Sequence, residues 1–320
     1  MKKINGTWFE FSHHNIAEGK YWNPICRNFS EAQWREKIKE IKSLDMKYIV
    51  MMCSSLVYED SAESYFTNDI FPFAKDFVCK NPIEILLDES DKCGIDVFIS
   101  TGFYGVWSQP ITNMTSPLVK EKAFRAMKLL YQKYGNHKSF YGWYFPDETC
   151  IKKYFLPKFM KYVNEYSEYG KILNSNLKTL IAPFGTNKLV SDDVYVEQLR
   201  GLDVDIVAYQ DEVGVRKSNP ENTMRYYEAL RNAHDRAGCS KLWADMEIFE
   251  FEGDVYKSAL IPSNIERMKI QLESISPYVD EILCYQYMGL MNQPSTIAYC
   301  GHPLSISFYN DYKKLMGKLS

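Results

Sequence analysis

The sequence predicts an α/β fold, a single (β/α)8 TIM barrel with long loops after strands 1–3, and three observations support this prediction. Short apolar runs rich in β-forming residues recur eight times, with starts roughly forty residues apart. Amphipathic stretches with helix start and stop signals lie between these runs. The runs are continuously apolar, as at residues 49–52, which is typical of parallel strands buried on both faces.

The eight predicted strands are spread along the whole chain, and no segment rich in proline, glycine and serine divides them. We therefore expect one catalytic domain over residues 1–320. The predicted strands are residues 4–10, 47–53, 95–101, 140–146, 178–184, 204–210, 241–247 and 281–287.

The first long helix has an explicit start signal. Ser30 and Gln33 form a capping box, and the helix that follows carries Trp34, Ile38 and Ile41 on one stripe. The helix leads into the strand predicted at 47–53.

Proline in the first turn and glycine beyond the last turn delimit two more helices. One follows Asn81 and ends at Gly94, and the other follows Asn219 and ends at Gly238. The remaining predicted helices occupy about residues 117–134, 155–170, 192–200, 263–276 and 303–316.

The longest predicted loops are residues 11–29, 54–80 and 102–115, after the first three strands. In a barrel these loops lie on the face that carries the active site. An open doubly wound sheet is the competing architecture. It is disfavoured because no G-x-G-x-x-G or G-x-x-x-x-G-K-[ST] motif follows any strand.

The composition narrows the class of protein. The chain has 46% hydrophobic and 25% charged residues and a net charge of -3. This composition predicts a globular protein. We expect neither a membrane-spanning segment nor a nucleic-acid partner. Eight widely spaced cysteines without a C-x-x-C motif are interpreted mostly as small buried hydrophobic residues. We expect a cytoplasmic protein, or an exported one if a leader is removed before residue 1. The sequence does not indicate whether the protein is a monomer or an oligomer.

Carboxylates follow two of the predicted strands. Asp147 and Glu148 come directly after strand four, while Asp245 and Glu247 share one face near the end of strand seven. The C-terminal ends of these strands lie on opposite sides of a barrel mouth, so Glu148 and Glu247 are expected to face each other.

Two carboxyl groups are the minimum equipment for cleaving a glycosidic bond. A retaining pair stands about 5–5.5 Å apart and an inverting pair about 6.5–9.5 Å apart, a difference that sequence does not give. We expect retention of configuration. Glu250 is a rival nucleophile because the end of strand seven is uncertain by roughly two to four residues.

Four segments carry a resemblance to known families: residues 6–10, 142–148, 208–214 and 243–247. They resemble the retaining glycoside hydrolases of the large (β/α)8 clan. The whole chain is similar to a bacterial family of glycoside-hydrolase-like barrels known as a domain of unknown function. The resemblance implies a role in carbohydrate metabolism and polysaccharide degradation.

In that clan an acid/base glutamate ends strand four and a nucleophilic glutamate ends strand seven, which implies these roles for Glu148 and Glu247. The clan usually has asparagine before its acid/base residue, and here Asp147 occupies that position. We expect Asp147 either to accept the hydrogen bond of the sugar 2-hydroxyl or to raise the pKa of Glu148 by like-charge repulsion.

Other polar and aromatic side chains near the predicted strand ends are candidates for contacting the sugar. Trp107 is the first choice among the rings, because it lies in a loop between Gly105 and Pro110 on the mouth side. The full set of substrate-binding candidates is Glu10, His13, Trp107, Asp147, Tyr209, Gln210, Asp211, Glu250, Tyr285 and Gln286.

Two other functions remain open from the sequence. A carbohydrate-binding barrel without turnover would use the same acidic strand ends to hold a ligand. A metal-assisted hydrolase would need a third ligand beside His13 and His14, and the sequence has no H-x-H or H-E-x-x-H motif. We therefore predict a glycoside hydrolase that acts on an oligosaccharide or glycan and needs no cofactor or metal.

Overall fold

The computed structural model describes residues 1–317, which fold into a mixed arrangement of strands and helices. The strands are β1 Gly6–Phe9, β2 Tyr48–Met51, β3 Ser55–Val57, β4 Ala62–Ser64, β5 Asp96–Ser100, β6 Phe140–Tyr144, β7 Lys178–Ile181, β8 Ile206–Gln210, β9 Lys241–Glu247, β10 Phe249–Phe251, β11 Leu260–Pro262 and β12 Glu281–Tyr285. The helices are α1 Asn23–Cys26, α2 Glu31–Ser43, α3 Pro82–Cys93, α4 Pro110–Thr115, α5 Pro117–Tyr134, α6 Pro157–Leu173, α7 Asp193–Arg200, α8 Thr223–Ala237, α9 Ile265–Ile275 and α10 Ser305–Gly317.

Eight of the strands form a closed parallel barrel in the order β1, β2, β5, β6, β7, β8, β9 and β12, and β12 pairs with β1. Each of the eight predicted strand ranges contains one barrel strand, so the predicted (β/α)8 barrel is confirmed. The closed sheet excludes the open doubly wound alternative.

The predicted helix signals have the expected geometry. The Ser30 hydroxyl accepts a hydrogen bond from the Gln33 N–H at 3.4 Å, and the Gln33 side chain accepts one from the Ser30 N–H at 2.9 Å. Gly94 and Gly238 end α3 and α8 with φ angles of 64° and 69°. These left-handed conformations are accessible to glycine without a steric penalty.

Two short antiparallel hairpins were not predicted. One pairs β3 with β4 in the loop after β2, and the other pairs β10 with β11 in the loop after β9. The second hairpin extends the wall of the barrel mouth above β9, which places it beside the candidate site.

Buried aromatic side chains support the strand that leads to Glu148. Trp8 and Tyr144 pack edge to face, with ring centroids 6.1 Å apart, and both are fully buried. The Tyr144 hydroxyl donates a hydrogen bond to Glu148 at 2.9 Å. The core therefore connects directly to the mouth of the barrel at this position.

No helix among residues 1–317 is both long enough and apolar enough to cross a membrane. The buried cysteines of the described chain are Cys26, Cys53, Cys79, Cys284 and Cys300.

The middle of β6 requires a residue without a side chain. A Cβ atom on Gly142 would lie 2.3 Å from the Lys178 carbonyl oxygen of β7 and 2.8 Å from the Phe98 ring of β5. Real Cβ atoms do not approach backbone oxygen this closely. Gly142 thus sets the spacing of β6 from both of its neighbours.

We expect Gly142→Ala to lower the free energy of unfolding by about 1–3 kcal/mol, because the added methyl group forces β6 away from β7. Chemical denaturation of the parent and the variant measures this difference. Gly253→Ala is the matched control, since its Cβ would be no closer than 3.4 Å to any atom. Equal stability of the Gly142→Ala variant and the parent would contradict the close approach.

Candidate active site

Two adjoining cavities lie at the C-terminal ends of the barrel strands, and Glu148, Gln210, His14 and Glu18 line both. We call the smaller cavity, of about 120 Å³, the inner chamber, and the larger one, of about 410 Å³, the outer chamber. Side chains that line only the inner chamber are those of His13, Asp245, Glu247, Phe249, Phe251, Leu260 and Tyr285.

Glu148 lies between the two chambers and is partly exposed to them. One carboxyl oxygen accepts a hydrogen bond from Tyr144, and the other accepts one from the Gln210 side-chain amide at 2.7 Å. Burial, and then the neighbouring charge of Asp147, raise the pKa of Glu148 to about 7, against the effect of these hydrogen bonds. A carboxyl group with this pKa holds its proton close to neutral pH.

Glu247 ends β9 and is 3% exposed, with one carboxyl oxygen accepting a hydrogen bond from the Val215 N–H at 2.8 Å. Its backbone is fixed on both sides. The N–H donates to Asp211 at 3.1 Å, and the carbonyl oxygen accepts from Arg267 at 2.9 Å and Gln271 at 3.0 Å. Burial and the charge of Asp211 raise the pKa of Glu247 well above its usual range.

Asp245 lies on the same face of β9 as Glu247, as the alternation of the strand predicts. The parallel register places it opposite Gln210 of β8. It is 3% exposed, and its Oδ1 atom is buried without a hydrogen-bond partner in the described chain. Burial, then the charges of Glu148 and Glu247, raise its pKa well above the usual range.

A buried imidazolium closes one side of the inner chamber. The two ring nitrogens of His13 lie 3.0 Å from Glu10 and 2.9 Å from Glu18, and the Tyr285 hydroxyl lies 3.1 Å from Nδ1. Burial lowers the pKa of His13. The charges and hydrogen bonds of Glu10 and Glu18 outweigh this effect and raise the pKa to about 10. His13 is therefore a cation that two carboxylates already neutralise.

Glu10, His13 and His14 offer potential metal-ligand atoms that lie within 4.8 Å of one another. Glu10 is thus the third convergent group that the sequence motifs did not reveal. Both nitrogens of His13 are already hydrogen-bonded, and Glu10 also accepts from Trp22 and Gln286. A cation would have to displace this network, so the donor set fits an ion-pair cluster better than a metal centre.

The outer chamber combines apolar rings with polar groups. Trp107 lines it from the loop after β5, and its ring lies 4.6 Å from that of His14. Lys217 and Glu212 line the opposite side, with 3.8 Å between the ammonium nitrogen and the carboxyl oxygen. Burial and the charge of His13 keep the pKa of His14 low, so its ring is neutral.

The structure brings six of the predicted site residues to the chambers, and their assigned roles remain predictions. The two glutamates come from β9 and from the segment that follows β6, as the barrel model required. These six residues are Glu148, Glu247, His13, Trp107, Gln210 and Tyr285.

Four other predicted residues lie behind the chamber wall and act on the residues in front of them. Glu10 and Gln286 are hydrogen-bonded to each other behind His13, and Asp211 supports the backbone of Glu247. Asp147 is 3% exposed and accepts a hydrogen bond from Asn113 at 2.8 Å. None of these four lines either chamber in the described structure, so the expectation that they contact a sugar directly is not supported.

Two predicted residues lie away from the chambers. Tyr209 is fully buried, and its hydroxyl hydrogen-bonds Tyr195 and His234, so it has no ring face free for a sugar. Neighbouring residues in a strand face opposite sides, and Gln210 takes the chamber side. Glu250 is 44% exposed at its side chain and lies 3.6 Å from Arg267, so the structure favours Glu247 over Glu250 as the chamber carboxylate.

Sequence reasoning assigned no substrate contact to several lining residues. The alternation of β9 identified Asp245 as a neighbour of Glu247, which was the available signal for this residue. The pair Asp211 and Glu212 after β8 predicts a substrate-positioning residue, and Glu212 is the member of the pair that lines the outer chamber. The pair His13 and His14 likewise predicts one sugar contact. The remaining residues lie in irregular loops without a periodic pattern, and they are Glu18, Lys217 and Tyr256.

Solved structures with a similar fold are glycosidases or candidate glycosidases. A candidate alpha-L-fucosidase from Bacteroides thetaiotaomicron superposes with a TM-score of 0.75 at 15% identity, over 98% of this chain and 93% of that chain. An endo-beta-1,4-mannanase from Thermotoga petrophila superposes with a TM-score of 0.61 at 10% identity, over 98% of this chain and 76% of that chain. A GH2 beta-galacturonidase from Eisenbergiella tayi superposes with a TM-score of 0.58 at 14% identity, over 99% of this chain and 51% of that chain.

At these identities the similarity establishes the barrel fold and not an activity. Among curated proteins, no sequence matches the chain. The family model described as domain of unknown function DUF4434 matches residues 4–298. The chain therefore belongs to the DUF4434 family, whose member described here has a glycoside-hydrolase-like barrel.

Proposed function

We propose that this protein is a glycoside hydrolase that cleaves an oligosaccharide or glycan with retention of configuration. The observation that carries this proposal is that Glu148 and Glu247, from opposite parts of the barrel, line one chamber. Two carboxyl groups around a sugar-sized space are what acid-assisted displacement at an anomeric carbon requires.

Glu148 is the general acid and base. It separates the inner from the outer chamber, so a glycosidic oxygen at the boundary would lie within its reach. The raised pKa keeps a proton available for the leaving group near pH 7. Asp147 supports this role through its charge and not through the sugar 2-hydroxyl, because it lies behind the chamber wall.

Glu247 is the nucleophile, which acts in its ionised form. The raised pKa means that the empty chamber holds protons on its carboxyl cluster. Glu247 therefore loses its proton to solvent before it attacks. Positive charge that develops at the anomeric carbon then stabilises the carboxylate, as does the Val215 N–H. Gln271, Arg267 and Asp211 hold the residue in place without lining the chamber.

The outer chamber suits the leaving-group side of the substrate. Its larger volume and the exposed part of the Trp107 ring provide an apolar face for a further sugar unit. The inner chamber ends at the β10–β11 hairpin, where Phe249, Phe251 and Leu260 line its far side. A terminal glycosyl residue in the inner chamber and the rest of the glycan in the outer chamber fit this arrangement.

Replacing either catalytic carboxyl group should abolish hydrolysis. We expect Glu148→Gln and Glu247→Gln each to lower kcat/KM by at least about 100-fold, because each variant loses either proton transfer or the covalent step. The measurement is a panel of aryl glycosides and glycans assayed with the parent and both variants, with circular dichroism to establish folding.

Glu250→Gln is the matched control for this experiment, since Glu250 is a nearby carboxylate outside the chambers, and it should keep the activity of the parent. Loss of activity in Glu250→Gln with retention in Glu247→Gln would overturn the assignment of the nucleophile. A parent that binds glycans and cleaves none would identify a carbohydrate-binding barrel instead.

The pH dependence of kcat/KM should reflect the ionisation of Glu148, the proposed general acid. Because the pKa of Glu148 is raised to about 7, the acid is protonated below that pH, and kcat/KM should fall as the pH rises through about 7. Asp147→Asn removes a charge that raises this pKa, so the basic limb should move to lower pH. A limb that stays in place or moves to higher pH in this variant would contradict the proposed coupling.

A further inference from the structure

Acidic side chains line the inner chamber. They are Glu18, Glu148, Asp245 and Glu247, and all four carboxyl groups belong to the proposed active site or to its immediate wall. In a chamber with buried walls the interaction of these groups with a charged ligand is stronger than in bulk solvent. The charge of a substrate therefore affects its binding strongly.

The cationic side chains near the inner chamber are paired with other groups of the protein. Across residues 1–317, neither lysine nor arginine lines the inner chamber. The His13 imidazolium is hydrogen-bonded to Glu10 and Glu18 and so has no ring nitrogen free for a ligand. Arg267 lies behind the wall, where it donates to the carbonyl oxygens of Glu247 and Phe249.

Lys217 is the cation that lines the outer chamber, and it lies 3.8 Å from Glu212. Its ammonium group also lies 5.2 Å from the ring centre of Phe184 and 5.4 Å from that of Tyr256. These contacts hold it in the wall of the outer chamber, so a carboxylate on a sugar in the inner chamber would meet carboxyl groups and no free cation.

Asp245 supplies an acceptor without a donor. Its side chain is almost completely buried, its Oδ1 has no hydrogen-bond partner among the described residues, and it lines the inner chamber. Leaving such an atom unpaired is unfavourable, and a ligand that donates to it removes this penalty. A hydroxyl or an ammonium group of a sugar is such a donor.

We propose that the inner chamber selects a neutral or amino sugar that donates a hydrogen bond to Asp245, and that it rejects uronic acids and sulfated sugars. This inference rests on the proposed function in that it places the cleaved glycosyl residue in the inner chamber. It separates this protein from uronidases with a similar barrel, such as the galacturonidase described above.

The apolar end of the chamber strengthens the selection. Phe249, Phe251 and Leu260 cover the side opposite the outer chamber and give a charged substituent no polar partner. A uronate carboxylate would lose its hydration there and would meet no lysine or arginine in return. A hydroxyl or ammonium group gains the Asp245 hydrogen bond in return for its lost hydration.

The test is a calorimetric titration of the intact parent with monosaccharides that differ from each other in one charged substituent each. Matched sets are glucose, glucosamine and glucuronate, and the corresponding galactose and mannose sets. We expect neutral or amino members of at least one set to bind, and the uronate of that set to bind at least about 100-fold more weakly. Titration in two buffers of different ionisation enthalpy measures the protons released on binding, which distinguishes an ammonium donor from a hydroxyl donor.

An ammonium group favours the ionised form of Asp245, whose pKa is raised when the chamber is empty. Binding of an amino sugar should therefore release a proton, whereas binding of a neutral sugar through a hydroxyl should not. Asp245→Asn keeps the shape of the side chain and should weaken the best ligand by at least about 10-fold. The substitution should also reduce the difference in binding affinity between that ligand and the uronate.

Asp203→Asn is the control, because Asp203 forms an exposed ion pair with Lys171 before β8, at the opposite end of the barrel. A uronate that binds as tightly as its neutral counterpart, or no binding by any neutral or amino member, would overturn the inference. Hydrolysis of a uronide by the parent would contradict the inference and leave the proposed function standing. Selective binding without any hydrolysis would support the inference and contradict the proposed function.

Discussion

The candidate site of this barrel is defined by the burial of several carboxyl groups in one small chamber. Ionising Glu148, Asp245 and Glu247 together is unfavourable there, because each loses hydration and each lies near the charge of at least one further carboxyl group. Closure of the sheet imposes this arrangement, since it brings the ends of β6 and β9 to the same mouth. The raised pKa of Glu148 follows from its burial at this mouth and from the adjacent Asp147.

The surrounding hydrogen bonds determine how the cluster behaves. Tyr144 and Gln210 orient Glu148, while Asp211 and Arg267 fix the backbone of Glu247 from behind. These supports come from the barrel core and from α9, which are rigid elements. A site that must place a proton and a nucleophile on one bond benefits from such preorganisation.

The fold and the two main carboxylates were predictable because their signals are local. Capping at Ser30, glycine stops and apolar runs identify the elements, and parallel strands gather their C-terminal ends at one mouth. The β10–β11 hairpin was not predictable, because β10 follows β9 almost without interruption and β11 is a three-residue strand that ends in proline. Strict alternation would have excluded Tyr209 once Gln210 was assigned to the chamber.

In the proposed reaction Glu247 attacks the anomeric carbon while Glu148 serves as acid and base. Intact-protein mass spectrometry after treatment with the 2-deoxy-2-fluoro form of an aryl glycoside that the parent hydrolyses, followed by peptide mapping, tests these roles. We expect one glycosyl unit attached to Glu247. An adduct on Asp245 or Glu250, or hydrolysis with inversion and no adduct, would contradict it.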